Sequence, residues 1–394
     1  MKHPRRRIKT HRRRHVSRRV RKSGLPDAST SIDRLCQLSN ALRPGRTPLL
    51  ANASKSLQHR FLMDCKATLE LARKVESWLR GWLLASIIPI VSSMSINLKM
   101  PEGTRKLNSC LIVAPRGSGK TELLERMLAA SNPEHFVVLA PKIFESQLVQ
   151  KSREYFHNKI IVLDDLIVSF EGMDLKQRQQ LQNFWTKLLE GSYARDASSL
   201  TNVSTLVLFG LASEQLGRFR RELFYSTFLD RVPTFLHNVT SKMKEQILRL
   251  RAQRSRQKPV IKLPLPDKIE DSRKVDVAFL RSKWIEDRIV DYAMELDSYG
   301  VQSSARAQDY VKTFMQANAL LNSRNKVTKS DLLLYDLIHP MFLNSTGEIG
   351  TENRILTLIK NNPGASDIEL LEKSGLSRAT FYKYKRILQR KGAI

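Results

Sequence analysis

The chain has 394 residues, of which 41% are hydrophobic, so it is long enough for two or three domains with sizeable cores and is not a small stapled scaffold. Lys and Arg number 67 against 38 Asp and Glu, which gives a formal net charge of +29 and favours a polyanionic partner. The first 22 residues are rich in Arg and contain no Asp or Glu, yet more than half of the net charge belongs to the rest of the chain. A basic folded body favours nucleic acid as the partner.

The cysteine pattern indicates a reducing compartment. The chain has three widely separated cysteines: Cys36, Cys65 and Cys110. Their number and spacing give neither a disulfide framework nor a metal-ligand motif. The charged N-terminus lacks the apolar segment of a secretory signal, although an Arg-rich organellar presequence stays open. We therefore expect a cytoplasmic, nucleoid-associated protein.

One segment, Gly81 to Leu98, is uncharged for 18 residues and raises the question of a membrane span. Pro89, Asn97 and four serines interrupt it. The pattern therefore favours a buried helix leading into a strand, and no membrane partner is expected.

The N-terminal residues 1–55 carry the Arg run and then a Ser-, Pro- and Asn-rich stretch without clear periodicity. They are predicted to form a disordered basic arm that contacts DNA or RNA, the alternative being a solvated tail without specific contacts. From residue 56 apolar residues recur at helical spacing, and this helix opens a domain expected to span residues 56–256.

Alternating strands and helices predict an α/β fold built on a parallel sheet with helical crossovers. The predicted strands are Cys110 to Val113, Phe136 to Leu139, Ile160 to Leu163, Thr205 to Phe209 and Val232 to Leu236. The predicted helices lie near 120–130, 143–156, 174–191 and 213–225. Residues 257–345, which begin with a Pro-rich connector, are expected to form a helical lid, and residues 351–394 a separate module.

A phosphate-binding loop is predicted between the first strand and its helix. Residues 114–121 read Ala-Pro-Arg-Gly-Ser-Gly-Lys-Thr, the P-loop pattern with Ala in the first Gly position. Glycines let successive backbone N–H groups face a triphosphate, and the helix N-terminus adds partial positive charge. Lys120 would reach the β and γ phosphates, and Thr121 would hold Mg²⁺. The residues expected to bind ATP are Pro115, Arg116, Gly117, Ser118, Gly119, Lys120 and Thr121.

A pair of acids follows the third strand. Asp164 and Asp165 end the apolar run that begins at Ile160, and buried acids are costly unless a cation meets them. Asp164 would bind Mg²⁺ through water, and Asp165 would polarise the attacking water. Asp164 follows Lys120 by 44 residues, with a strand and a helix between them, and this order indicates nucleoside triphosphate hydrolysis with a strand inserted between the two motifs.

With these motifs in place, residues 75–340 resemble an AAA+ ATPase, most closely the MCM-like helicase branch. The segment Phe228 to Val232 is similar to the arginine-finger segment of that family, which implies that Arg231 enters the site of a neighbouring subunit in a ring or filament. A surface ion pair with Asp230 or Glu222 is the alternative.

The same resemblance extends to the lid. Arg306, followed by an amphipathic helix, is similar to the sensor 2 arginine and would touch the γ phosphate, the alternative being an exposed arginine at a helix start. The chain departs from the family pattern at Asp165, where a Glu is expected, and near Ser213, where sensor 1 would place an Asn. Slow hydrolysis, or a switch in place of a motor, therefore stays open.

The last 44 residues are predicted to form a helix-turn-helix that resembles the winged-helix end of archaeal MCM and initiator proteins. Gly375 suits the turn, Ser377 caps the third helix, and one face of that helix is apolar. The opposite face carries side chains able to meet phosphates and base edges: Arg378, Thr380, Tyr382, Lys383, Lys385 and Arg386. A purely structural three-helix cap is the alternative.

Three functions stay open at this level. The first is an MCM-like DNA helicase or translocase that hydrolyses ATP between subunits. The second is a replication initiator or helicase loader whose ATP state switches DNA binding. This second function is favoured because the segments expected to carry pore hairpins are short. The third is a transcriptional regulator that senses nucleotide.

Overall fold

The computed structural model describes residues 28–43, 45–99, 108–194, 200–215, 228–252, 258–279, 282–299 and 301–343. It also describes 355–356, 358–359, 362–374, 376 and 378–390 near the C-terminus.

A five-stranded parallel sheet forms the centre of the molecule. Its strands are β1 (Cys110–Ala114), β2 (Phe136–Val138), β3 (Lys159–Leu163), β6 (Thr205–Ala212) and β7 (Thr234–Leu236). Between β3 and β6 the chain forms two short strands outside this sheet, β4 (Ser192–Ala194) and β5 (Leu200–Asn202). The sheet order is β2-β3-β6-β1-β7, whereas β4 and β5 form a separate antiparallel hairpin. All four pairings within the sheet are parallel. The predicted α/β class is thus confirmed, and β6 lies between the strands that carry the two motifs.

The central strands are apolar because both faces of the sheet are covered. Every residue of β1 and β6 is buried, as expected for parallel strands between two layers of helices. Alternate side chains enter opposite cores: Ile112 packs with the N-terminal helices and the lid, whereas Leu111 and Val113 pack with the helices that connect the strands. This double burial holds the ends of β1, β6 and β3 in fixed register.

The connecting helices differ in part from the prediction. The helix after β1 runs over Glu122–Leu128 with π-type hydrogen bonding and closes with a short 3₁₀ turn. The predicted helix 143–156 is two short helices, α5 (Glu145–Val149) and α6 (Arg153–Phe156). Helix α7 (Leu175–Leu189) begins at Asp174, whose carboxylate accepts from the Gln177 N–H at 2.8 Å. Of the predicted helix 213–225, only residues 213–215 are described.

The N-terminal segment corrects the prediction of a disordered arm over residues 1–55. Residues Ala28–Leu42 form helix α1, and its Ile32 and Leu35 are buried in the main core, as is Leu50 beyond it. Apolar residues at Ile32, Leu35 and Cys36 follow helical spacing, so the signal was present within a polar stretch. Residues 1–27 lie outside the described part of the chain.

Three further helices precede the sheet: α2 (Lys55–Asp64), α3 (Lys66–Trp78) and α4 (Ile87–Met94). All eight residues of α4 are buried, so the uncharged segment 81–98 supplies a core helix. It leads to a single bridge between Leu98 and Val275. Within the described residues, no helix has the length and apolar character needed to cross a bilayer.

Helices dominate the region predicted as the lid. They are α9 (Lys283–Ser298), α10 (Ser304–Leu321) and α11 (Lys329–Leu343). A further helix, α8 (Ser241–Ala252), lies before the connector, within the range predicted for the preceding domain. Short strands β8 (Ala278–Phe279) and β9 (Lys326–Val327) pair in parallel beside them. Every residue of α11 after the exposed Lys329 is buried, which makes it the central helix of this bundle.

The C-terminal module has its own small core. Helices α12 (Asp367–Ser374) and α13 (Arg378–Arg390) follow helical residues at 355–356 and 358–359. The buried residues of this core are Ile355, Leu370, Phe381, Tyr384 and Leu388. Gly375 and Ser377, which the prediction placed in the turn and at the helix start, lie outside the described residues. The predicted helix-turn-helix class is confirmed.

Candidate active site

The loop at 114–121 forms one wall of a cavity of about 340 Å³ at the carboxyl end of β1. Gly117 and Gly119 have φ angles of +72° and +100°, which residues with a side chain rarely adopt. Described residues that line the cavity are the whole loop, Glu122, Arg126, Asp164, Asp165 and Ala212. The structure therefore brings together all seven predicted phosphate-binding residues and both predicted acids.

Asp164 is the meeting point of the two motifs. The Lys120 ammonium donates to a carboxylate oxygen of Asp164 at 2.7 Å and to its backbone carbonyl at 2.6 Å. The Thr121 hydroxyl donates to the other carboxylate oxygen. The residues predicted to bind the phosphates and the metal thus lie within one hydrogen-bonded cluster.

Gly210 makes this meeting possible, and its role was missed from the sequence. It lies on β6, between the strand before Lys120 and the strand before Asp164. A Cβ at Gly210 would stand 2.1 Å from the Asp164 carbonyl oxygen and 2.8 Å from the Lys120 nitrogen. A glycine inside a buried strand was the available signal, because it often marks close approach of another backbone.

The residues present fit a phosphate group and a metal ion. The Ser118 hydroxyl lines the cavity, is buried, and has no hydrogen-bond partner within the described structure. Lys120, Arg116 and Arg126 supply positive charge at the cavity, and the oxygens of Thr121 and Asp164 are the ligand type that Mg²⁺ prefers. Asp165 accepts from the Ile167 N–H at 3.3 Å and also faces the cavity.

Two further acids act on this site. Glu214, just after β6, accepts from the Arg116 N–H with oxygen distances of 3.1 and 3.3 Å, so it holds the outer part of the loop. Burial raises the pKa of Glu125, and the nearby Asp164 charge raises it further. Ser213, considered as a substitute sensor 1, lies 3.5 Å from the Glu214 carboxylate.

Arg231 and Arg306 lie together, but in a different cluster. Arg231 donates to the Glu190 carboxylate, with its Nε at 2.8 Å, and its side chain is only 13% exposed. Arg306, in the first turn of α10, pairs with Asp230, which also accepts from the Ser303 N–H at 2.8 Å. Neither arginine is among the described residues that line the cavity.

This ion-pair cluster joins the sheet domain to the lid. Glu190 follows α7, and Asp230 precedes β7, whereas Arg306 begins the long lid helix. Glu190 is thus a partner of Arg231 that the sequence did not suggest. Of the two acids considered from the sequence, Asp230 pairs with Arg306, and Glu222 lies outside the described residues. Within one copy of the chain, the predicted finger and sensor 2 arginines are both engaged by acids.

The polar face of α13 carries the predicted nucleic-acid contacts. Arg378, Lys383 and Arg386 are exposed, whereas Thr380, Tyr382 and Lys385 are half-buried. Lys385 forms an ion pair with Asp367 of α12, and Tyr382 packs beside the small core. The six predicted residues therefore divide into an exposed basic set and a set with contacts inside the module.

Comparison with known proteins identifies the C-terminal module. Residues 350–394 match the family model described as winged helix-turn-helix DNA-binding. No curated protein sequence matches the chain. Among solved structures, the crystal structure of a full-length MCM homolog from Methanopyrus kandleri is similar at 12% identity with a TM-score of 0.43. That match covers 75% of this chain and 62% of the other, which is less than two thirds of its length.

Proposed function

We propose that this protein is an ATP hydrolase of the AAA+ type that acts on DNA, as an MCM-like helicase or translocase assembled from several copies of the chain. One observation carries the proposal: Lys120 and Thr121 of the phosphate-binding loop both bond to the Asp164 carboxylate. A glycine-rich loop, a cation and an acid paired in this way are the parts that phosphoryl transfer requires.

The roles of the residues follow from their positions. The backbone N–H groups of residues 117–121 and the Lys120 ammonium would hold the β and γ phosphates of ATP. Thr121 and Asp164 would hold Mg²⁺, which neutralises charge on the phosphates when it is bound. Asp165, which lines the cavity, would orient the attacking water. The winged helix-turn-helix at 350–394 supports DNA as the polymer on which the protein acts.

The decisive experiment measures ATP turnover with and without single-stranded and duplex DNA, beside sizing in the presence of ATP. Turnover that DNA stimulates, an assembly larger than the monomer, and separation of a forked duplex are expected. Lys120→Ala should abolish ATP binding or turnover because the cradle loses its cation. Lys176→Ala, an exposed lysine on α7, is the matched control and should keep wild-type turnover. Unchanged turnover in Lys120→Ala would contradict the assignment of the loop.

The second candidate is an initiator or loader in which ATP switches DNA binding without strand separation. The ion pair between Arg231 and Glu190 favours it, because an arginine held within its own chain does not reach a neighbouring site. The position near Ser213, where sensor 1 lacks its Asn, points the same way.

A pair of variants separates the two candidates. If Arg231 acts on a neighbour, Arg231→Ala should lower turnover at least about tenfold with ATP affinity nearly unchanged. Glu190→Gln should keep or raise turnover because it releases the arginine. Mixing Arg231→Ala with Asp165→Asn subunits should then restore part of the activity. A switch predicts that the mixture stays as inactive as its components.

A further inference from the structure

The corner between α3 and α4 lies directly against the phosphate-binding loop. Trp82 is fully buried there, and its indole Nε1–H donates to the Ser118 carbonyl at 2.8 Å. Leu79 packs against Gly119 so closely that a Cβ on this glycine would stand 2.6 Å from the leucine Cδ2. A segment that precedes the sheet domain by some 30 residues therefore forms the floor of the loop.

The same indole also contacts the edge of the sheet. The rings of Trp82 and His237 have centroids 4.2 Å apart. The backbone N–H of His237 donates to the Val113 carbonyl at 2.8 Å. Val113 belongs to the strand that leads into the loop. Trp82 thus lies between the loop and His237, and the backbone of His237 is bonded to the strand that leads into the loop.

Glu76 in turn holds the corner in place. Its carboxylate accepts from the Leu83 N–H at 3.1 Å and pairs with Arg34 of α1 at 3.0 Å. Burial raises the pKa of Glu76 despite these partners. Gly81 adopts φ of +89°, and its missing Cβ leaves room for Met243. The corner is consequently a rigid element of the fold.

We propose that Trp82 is a positioning residue for the phosphate-binding loop and that its indole responds to nucleotide binding at that loop. In a trans peptide the C=O and the next N–H point in opposite directions. With the Ser118 carbonyl held toward Trp82, the Gly119 N–H of the same peptide unit points away from Trp82, toward the cavity side of the loop. This inference rests on the proposed nucleotide site and assigns the loop a support outside the sheet domain.

The test compares two conservative variants in the full-length chain. Trp82→Phe keeps an aromatic ring but removes the donor to Ser118, and Trp185→Phe is the matched control because the buried Trp185 Nε1–H has no partner among the described residues. Calorimetry with Mg-ATP and Mg-ADP should show affinity about five- to tenfold weaker in Trp82→Phe, with maximal turnover within about twofold of wild type. Trp185→Phe should bind both nucleotides with wild-type affinity.

Tryptophan emission supplies a readout that a purely structural role would not change. Nucleotide addition should change the emission of the wild type and of Trp185→Phe, whereas Trp82→Phe should lose that change. Wild-type affinity in Trp82→Phe together with a retained emission change would overturn the proposal. Absence of nucleotide binding to the wild type in calorimetry would instead overturn the proposed function, and this inference with it.

A second measurement stands if Trp82→Phe does not fold. The indole N–H resonances of the wild-type chain can be assigned with phenylalanine variants at the other three tryptophans: Trp78, Trp185 and Trp284. The Trp82 resonance should shift on addition of Mg-ADP, and the other three should stay in place. Shifts at the other three without one at Trp82 would contradict the proposal.

Discussion

Gly210 shows that one absent side chain shapes the whole candidate site. The Lys120 side chain must cross β6 to reach the carboxyl end of β3. Only a glycine on β6 leaves room for the Lys120 ammonium at that point. The Gly210 carbonyl also accepts from the Leu166 N–H at 2.9 Å, which fixes the chain just beyond the two acids. The position of Asp164 therefore depends on a residue that touches no phosphate.

Gly210→Ala is expected to move Asp164 and Lys120 apart and to reduce ATP turnover about tenfold to a hundredfold, because small displacements of reacting groups are costly. Leu211→Val on the same strand is the control, since that side chain points into the opposite core. Steady-state turnover and a Mg²⁺ titration measure the effect, and thermal melts verify folding. Wild-type turnover in Gly210→Ala would refute this dependence.

For single residues, the sequence predicts the site residues that belong to a known motif. It does not predict contacts between residues that are distant in the chain and belong to no shared motif. Lys120, Thr121 and Asp164 belong to patterns whose chemistry requires them together, and the structure brings them within hydrogen-bonding distance. The partners of Arg231 and Arg306 are acids 41 and 76 residues away along the chain. No local pattern encodes pairings over such distances.

Helix α13 carries the residues predicted to contact DNA, and its basic residues are not equivalent. Arg378 and Arg386 lie exposed two turns apart on one face. Lys385, next to Arg386 in the chain, has its charge balanced by Asp367. A cation already paired within the module releases fewer counterions when DNA binds.

Arg386→Ala should weaken duplex affinity by roughly the value of one phosphate contact and lower the slope of log affinity against log salt by about 1. Lys385→Ala should change affinity and slope less, and should instead lower the stability of the module. Fluorescence anisotropy over a range of salt concentrations measures both. Equal losses in the two variants would show that the Asp367 pair opens on binding.

Removal of residues 353–394 should abolish most duplex binding.

Among the elements, buried strands were predicted within one to three residues because apolar runs bounded by polar residues are distinctive. Helix α1 was missed because its apolar residues are interspersed with serines and other polar residues, although Ile32 and Leu35 anchor it. The hairpin of β4 and β5 was also missed, since two three-residue strands leave little periodicity. Short elements depend on their surroundings more than on their own sequence.

Across the whole molecule, the residues that follow α1 fasten the N-terminal segment to the lid bundle. Arg43 pairs with Glu295 of α9, and Arg46 pairs with Asp336 of α11. His339 lies beneath them, fully buried, with its ring nitrogen 3.0 Å from Glu295. Breaking one partner of such a buried network costs more than an exposed ion pair would, because the remaining charge stays out of water.

Buried histidines make the stability of the fold sensitive to acid. Burial lowers the pKa of His237 to about 3, and burial also lowers the pKa of His339. His237 takes up a proton near pH 6.5 only in the unfolded chain, and His339 takes one up less readily in the fold than in the unfolded chain. The free energy of unfolding should therefore fall as the pH drops below 6.5, by about 1.4 kcal/mol per pH unit for His237. Urea denaturation at pH 7.5, 6.5 and 5.5 measures the trend.

His237→Phe keeps an aromatic ring beside Trp82 and removes one titrating group, so it should flatten the acid side of that profile. An unchanged slope would assign the sensitivity to other groups, Glu295 and His339 among them.

The bonds from Lys120 and Thr121 to Asp164 have a consequence for how the site fills. A carboxylate whose oxygens are already satisfied from inside the chain offers little to a bare divalent ion, and the ammonium is equally committed. Under the proposed function, binding of a metal–nucleotide complex would be an exchange: a phosphate would take over the Lys120 ammonium, and the ion would replace the Thr121 hydroxyl proton at the Asp164 carboxylate. Metal and nucleotide should therefore bind cooperatively, because each displaces a contact that Asp164 makes within the chain.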